Sequence, residues 1–231
     1  MNSRCPREIL AISGLLTEAA IARGPGVRAI AGAQALTTLE QSLLPHTRGV
    51  ISFGIAGGLD ARLRTGTIVI PRNVVDAEQC WTTDQVWADA LAERFPACTR
   101  ADLAGTNKPV ITIGAKAQLG ALTKAVAVDT ESHIAARAAH AHALPFAVLR
   151  VISDPADRAL PSAALVALRT DGGLDLGAVL RDVSRAPGQI PQLVRSGLDT
   201  RVALRNLARG RARLGPGLAY PDFGELLFDV P

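Results

Sequence analysis

Two acidic segments and one glycine turn are the parts of this chain whose residue types and spacing could do chemistry. Val128-Asp129-Thr130-Glu131-Ser132 ends a short apolar run just where a helical pattern begins. Glu131 therefore sits near a helix N-terminus with its carboxylate facing a sheet edge. An acid there gains about 0.3–1 kcal/mol from the macrodipole, which is reason enough for it without a ligand. Arg150-Val151-Ile152-Ser153-Asp154-Pro155-Ala156-Asp157 delivers Ser153 and Asp154 at the carboxyl end of an apolar run. That pair reads either as an Asx turn or N-cap before Pro155, or as a carboxyl beside a ligand pocket, raised in pKa so that it can donate a proton.

The glycine turn is Phe53-Gly54-Ile55-Ala56-Gly57-Gly58-Leu59. Glycines at a strand end let backbone approach a ligand and leave amides free, and they also make plain tight turns. No GxGxxG and no Walker A lysine accompanies them. Other polar groups point to less. His133, His140 and His142 share one helical stretch, but spacings of seven and two do not match an i, i+4 metal pair, so no metal site is expected. His133 follows Glu131 closely enough to support it. Cys5, Cys80 and Cys98 are odd in number, far apart and without CxxC, which supports neither a disulfide framework nor a zinc site and points to a reducing compartment.

The elements that must position these groups alternate. Apolar, β-branched runs predict strands over 8–12, 27–31, 49–55, 67–75, 110–113, 125–128 and 145–152, with Pro71 a bulge or edge inside the fourth. Helical patterns cover 17–22, 34–44, 83–95, 131–143, 162–168, 174–184 and 192–213, with another between the strands at 110–113 and 125–128. From Leu214 the chain reads as a loop or docked tail. This order predicts an α/β fold: one three-layer domain with a mostly parallel, partly mixed central sheet over residues 1–160, and C-terminal helices over 161–231 packed on the same domain.

Composition agrees. The chain has 231 residues, 48% hydrophobic and 20% charged, with net charge +4. That excludes a disordered chain and allows a full core without staples. Aromatics are only 3%, so Ala, Val, Leu and Ile must build the core. No apolar run reaches the roughly 18 residues of a membrane span. Arg4 and Arg7 are not followed by a signal-peptide core, so a cytoplasmic location is expected. Residues 181–213 hold eight Arg against two Asp. With Leu193, Val194, Leu198, Val202, Leu204 and Leu207 they form an amphipathic basic helix. It suits solvent, docking on the domain or a subunit, or an anionic membrane face; no motif supports nucleic-acid binding.

Taken together, SFGIAGGLD, AVDTES and PFAVLRVISDPAD resemble the nucleoside phosphorylase and nucleosidase superfamily, in particular the branch of the methylthioadenosine/S-adenosylhomocysteine nucleosidases. The resemblance runs from about Ile9 to Asp157. The opening GLLTEAAIARGPGV and the Arg-rich helix after PGQIP are further similar to the hopanoid-associated phosphorylases, which act on adenosylhopane. The resemblance implies cleavage of an adenine nucleoside, lipid-linked or not, with no cofactor and with water or phosphate as nucleophile. It implies Asp154 as the general acid at purine N7 and Ser153 as its orienting partner. It implies Glu131 at the ribose hydroxyls, with Thr130 in place of a methionine beneath the sugar. Ala56, Gly57, Gly58 and Gly14 would line the ribose and nucleophile site. Glu18 would take up water activation, one position before Ala19, where the nucleosidases carry glutamate. Other positions depart from the pattern: Ile55 for serine, Gly114-Ala115-Lys116-Ala117 for a segment that supplies an aromatic, and Ser52 for a phosphate-gripping arginine. Arg23, Arg28, Arg48 and Lys116 remain as candidate phosphate ligands. The family resemblance also implies a homo-oligomer, and a lipid-linked substrate would bring the 181–213 helix to the inner membrane face. The departures leave a second reading open, a ligand-binding module that kept the fold without the chemistry.

Overall fold

The structure is a computed structural model and describes residues 8–32, 37, 39–43, 45–161, 163, 169, 171–173 and 175–221. Three near-continuous apolar runs make the centre of the sheet: β1 (Glu8–Ser13), β3 (Thr47–Gly58) and β9 (Phe146–Asp154). Strands buried on both faces lose the polar alternation of a half-exposed sheet, and these runs read that way. The remaining strands are β2 (Val27–Ala31), β4 (Ile68–Val69), β5 (Asn73–Val75), β6 (Cys80–Thr82), β7 (Leu103–Gly105) and β8 (Ala127–Asp129). The order is β2-β1-β3-β8-β7-β5-β6, with β9 paired to both β3 and β4. Pairs β1–β2, β1–β3, β3–β9, β5–β7 and β7–β8 are parallel, whereas β3–β8, β4–β9 and β5–β6 are antiparallel.

Period-2 alternation along the central strands sorts the two cores. Ile9, Ala11, Ile51, Phe53, Leu149 and Val151 face one side. There they meet α1 (Leu16–Ala22), α3 (Gln85–Glu93) and α7 (Ile190–Arg213) through Ala19, Trp87, Leu91, Ala203 and Leu207. Leu10, Ile12, Val50, Val148 and Ile152 face the other side, where α5 (Ser132–Ala141) packs through Ala135, Ala136 and Ala139. These are three layers, as expected. Local chemistry sets the helix ends: Asp84 caps α3 at Trp87 N (2.8 Å), and Thr112 caps α4 (Ile113–Thr123) at Ala115 N (3.1 Å). Asp175 caps α6 (Leu176–Arg185) at Ala178 N (2.9 Å).

Some elements differ from expectation. The strand predicted over 67–75 is divided at Pro71 into β4, paired with β9, and β5, paired with β6 and β7. A residue without an N–H cannot continue a ladder, so the chain changes partners there. The strand predicted over 110–113 is absent: Val110 lies in a connection and Ile113 opens α4. The Thr112 cap outweighs the β-branched composition of this run. The short strands β6 and β7 carry too little pattern to be read from the sequence. Of the helix predicted over 34–44, α2 (Leu39–Ser42) is described; that predicted over 162–168 lies outside the described residues except Ala163. After α7 a 3-10 turn (Pro216–Ala219) docks its Leu218 carbonyl on Trp87 Nε1 at 2.9 Å.

Candidate active site

Four strand ends converge on one hollow, outside the carboxyl edge where open α/β sheets place ligands. Strand β1 runs through Ser13 and Gly14 into α1, which carries Glu18. Strand β3 brings Ile55, Ala56 and Gly57. Strand β8 ends at Asp129, and Thr130 and Glu131 follow before α5. Strand β9 ends at Ser153 and Asp154. Its register against β3 slips here: Ala56 pairs with Ile152, but Gly57 pairs with Asp154. Ser153 is the extra residue of this bulge, a device that re-aims side chains beside a site.

Beneath the hollow lies a buried charge cluster that the sequence reading missed. Arg150 is 0% exposed on the apolar strand β9. Its Nη2 donates to Ser52 Oγ (2.6 Å) and Glu131 Oε2 (3.2 Å), and its Nη1 donates to Ile55 O (3.2 Å). Its Nε lies 2.6 Å from Asp129 Oδ2, a close charge contact in which the N–H is not aimed at the oxygen. Ser132 Oγ donates to that same carboxylate. Asp129 also receives the Ser132 N–H on Oδ1 at 3.0 Å. The signal was present: an Arg within PFAVLRVI can stay buried only if several acceptors meet it.

Glu18 completes the cluster. Oε1 accepts from Ile55 N at 2.6 Å and Oε2 from Leu15 N at 2.8 Å. Burial pushes its carboxyl up to about 7, with Glu131 adding to the rise and Arg150 and the two amides opposing it. Burial also raises Glu131, with Asp129 reinforcing and Arg150 opposing. The Arg150 guanidinium is held charged by Asp129, Glu131 and Glu18 against its own burial. A Cβ on Gly54 would stand 2.5 Å from Arg150 Nη1 and 2.6 Å from Glu18 Oε1. Glycine at that point of β3 is what lets the cluster form.

On the far side stands Asp154. Ser153 Oγ donates to its Oδ1 at 2.7 Å, and Lys116 Nζ to its Oδ2 at 2.7 Å. Lys116 is thus engaged with Asp154.

One hollow of about 570 Å³ takes in Gly14, Glu18, Ala56, Gly57, Thr130, Glu131, Ser153 and Asp154. Thr130 Oγ1 donates to Glu131 Oε1. Gly58 is placed differently. It does not line the hollow, and a Cβ there would meet the Pro155–Ala156 backbone at 3.3 Å. No Arg or Lys lines the hollow among the described residues, so Arg23, Arg28 and Arg48 are not in it. Arg28 instead pairs with Glu8 at 2.7 Å. The opposite wall, unforeseen as part of the site, is Leu160, Val179 of α6, and Leu193, Ser196, Gly197 and Thr200 of α7. His133 is buried, its Nε2 3.0 Å from Asn107 Oδ1, and burial lowers its pKa. Among the described residues no cluster of three or more His, Cys, Asp or Glu could hold a metal ion.

Residues 7–185 match the family model of the phosphorylase superfamily. The chain belongs to that superfamily. At this level it is an enzyme acting on N-glycosyl bonds. Solved structures share its fold. The 5′-methylthioadenosine/S-adenosylhomocysteine nucleosidase of Neisseria meningitidis, complexed with methylthio-immucillin-A, is 15% identical with a TM-score of 0.64 over 90% of this chain and 97% of that one. The Helicobacter pylori nucleosidase of the same name is 16% identical with a TM-score of 0.61 over 91% and 100%. Futalosine hydrolase of Helicobacter pylori is 15% identical with a TM-score of 0.60 over 90% and 97%. No curated protein matches the chain.

Proposed function

We propose that this enzyme hydrolyses the N-glycosidic bond of an adenine nucleoside whose 5′ substituent is large and apolar, adenosylhopane being the candidate that the sequence resemblance names. The single observation that carries the reading is the meeting of Glu18, Glu131 and Asp154 in one hollow. Cleavage requires the sugar to take on positive charge while the base leaves with an electron pair. Glu131 faces the sugar, accepts its hydroxyls and stabilises the developing cation. Asp154 faces the base and delivers a proton to N7, an effect worth about 10²–10⁴-fold. Ser153 holds one oxygen of Asp154 and leaves its aim fixed.

Water is the favoured nucleophile. Phosphate carries two negative charges near neutral pH and needs free cationic donors. The lining offers carboxylates and, among the described residues, no Lys or Arg. Arg150 lies below, already shared among Asp129, Glu131 and Ser52. Glu18, with a carboxyl that titrates at about 7, suits a base that takes a proton from attacking water.

The large apolar substituent is supported by the wall of Leu160, Val179 and Leu193. The outer side of α7 carries Ile190, Val194, Leu198 and Val202, 42–58% exposed, beside exposed Arg195, Arg201, Arg205 and Arg209. An apolar stripe among arginines suits an anionic membrane surface. One helix would then form the wall of the hollow on one side and rest on lipid on the other. No helix among the described residues is long and apolar enough to cross a membrane. A methylthioadenosine-type nucleosidase is the second reading, favoured by the same carboxylates and differing only in the 5′ group.

The test is adenine release from adenosylhopane and from 5′-methylthioadenosine, with and without inorganic phosphate. We expect release that is independent of phosphate and fastest with the apolar substrate. The variant Asp154→Asn should lower it by about 10²–10⁴-fold. No adenine from either substrate would defeat the enzymatic reading, and a strict need for phosphate would defeat hydrolysis.

A further inference from the structure

Among the described residues, α4 has one buried side chain, and it is a lysine. Ala115 and Ala117 on either side are exposed, and Ile113 is 49% exposed. The helix therefore docks through Lys116, which is 0% exposed, beside the partly buried Leu119. A buried ammonium is costly unless its donors are met. Four oxygens surround this Nζ: Asp154 Oδ2 at 2.7 Å, Arg158 O at 2.9 Å, Pro155 O at 3.0 Å and Asp154 O at 3.2 Å. Three are carbonyls, one at the end of β9 and two in the turn after it. The fourth, and the nearest, is the carboxylate that lines the hollow. Carbonyls alone would serve to clamp the turn. The contact to Oδ2 also lays a proton in line with the group that the cleavage chemistry needs to discharge one.

We propose that Lys116 is the positioning residue behind Asp154: it fixes the carboxylate's aim and passes it, across the Nζ–Oδ2 hydrogen bond, the proton that the departing base takes up. The inference rests on the nucleoside cleavage proposed above. In the step, the C1′–N9 bond breaks and its electron pair goes to the base. An Nζ proton moves to Asp154 Oδ2, and the carboxyl so formed gives that proton to N7, leaving Asp154 ionised and Lys116 neutral. The attacking water bonds to C1′ and gives its proton to Glu18. When the base leaves, Glu18 releases a proton to solvent and Lys116 regains one through Asp154, so no net proton is consumed. A second hollow of about 210 Å³ is lined by Asp154 together with Asp157, Arg158 and Arg195. Moving a proton within an ion pair cancels two charges, and this is least opposed where solvent stabilises those charges least.

The test follows adenine release from 5′-methylthioadenosine and adenosylhopane by the whole chain. Lys116→Gln should lower kcat by about 100-fold with KM within about threefold, since proton delivery and not binding is lost. Lys116→Arg, which keeps the charge but does not give up a proton, should recover less than about threefold of that. In an Asp154→Asn background, measured at high enzyme concentration, Lys116→Gln should cost no more than about a further threefold, because the two act as a unit. If Lys116→Gln does not fold, as judged by thermal melting, Lys116→Met takes its place. A wild type that releases no adenine defeats the cleavage reading itself. An active wild type with Lys116→Gln within threefold, a rise in KM alone, or full additivity with Asp154→Asn overturns this inference only.

Discussion

At the scale of single residues, Glu18 ties stability and chemistry to one titration. Its carboxyl is held at about 7 in the folded chain against an ordinary 4.5. Below both values it is protonated folded and unfolded, and its contribution is fully present. Between them the unfolded chain releases the proton and the folded chain keeps it, so stability falls as pH rises through that window. Above both, the whole contribution is lost. Glu18→Gln does not titrate. From about pH 4 to pH 8 the wild type should therefore lose roughly 3 kcal/mol relative to the variant, measured by urea denaturation across that range. Turnover should move the opposite way. The ionised base is the active form, so wild-type kcat should climb through about pH 7 while Glu18→Gln stays low throughout. A wild-type kcat that is flat across that range counts against Glu18 as the base.

At the scale of elements, the site depends on how closely β3 and β9 allow side chains to cross. Arg150 lies beside Gly54 in the ladder, and both its guanidinium and the Glu18 carboxylate occupy the space where a Cβ would stand. Gly54→Ala should therefore destabilise the fold by about 1–3 kcal/mol and lower kcat, because the cluster must move. Gly114 on α4 is the control: nothing lies within 4 Å of a Cβ there. Gly114→Ala should be neutral or stabilise by up to about 1 kcal/mol, with kcat unchanged. Urea melts and steady-state kinetics on both variants separate the two. Equal effects at the two positions would mean that close approach at Gly54 is not what matters.

At the scale of the whole molecule, α7 joins the hollow to the surface. Leu193 and Thr200 line the cavity, whereas Val194 and Leu198 stand outside it, 58% and 57% exposed. The double variant Val194→Asp, Leu198→Asp should leave adenine release from 5′-methylthioadenosine unchanged. The wild type should sediment with anionic phosphatidylglycerol vesicles, less so at high salt, and the double variant should stay in solution. If the substitutions alter only the oligomeric state in size-exclusion chromatography, the stripe is a subunit contact.

By itself the sequence determined the alternation of strand and helix, the layered class and the segments that end beside the hollow. Apolar runs and glycine turns are local patterns, and Asp154 and Glu131 sit at their ends whatever the chain does elsewhere. Pro71 was legible as a break but not as a change of partners, since pairing is set by strands distant in sequence. Lys116 read as a candidate phosphate ligand, and Arg150 as part of an apolar run. Only tertiary structure decided that each is buried, because the oxygens that meet them come from other elements: Asp154, Pro155 and Arg158 for Lys116, and Ser52, Asp129 and Glu131 for Arg150. The same holds for α7, whose spacing shows two faces but not that one of them closes the hollow. A buried charge is tolerable only where its partners converge, and convergence of residues far apart in the chain is a property of the fold.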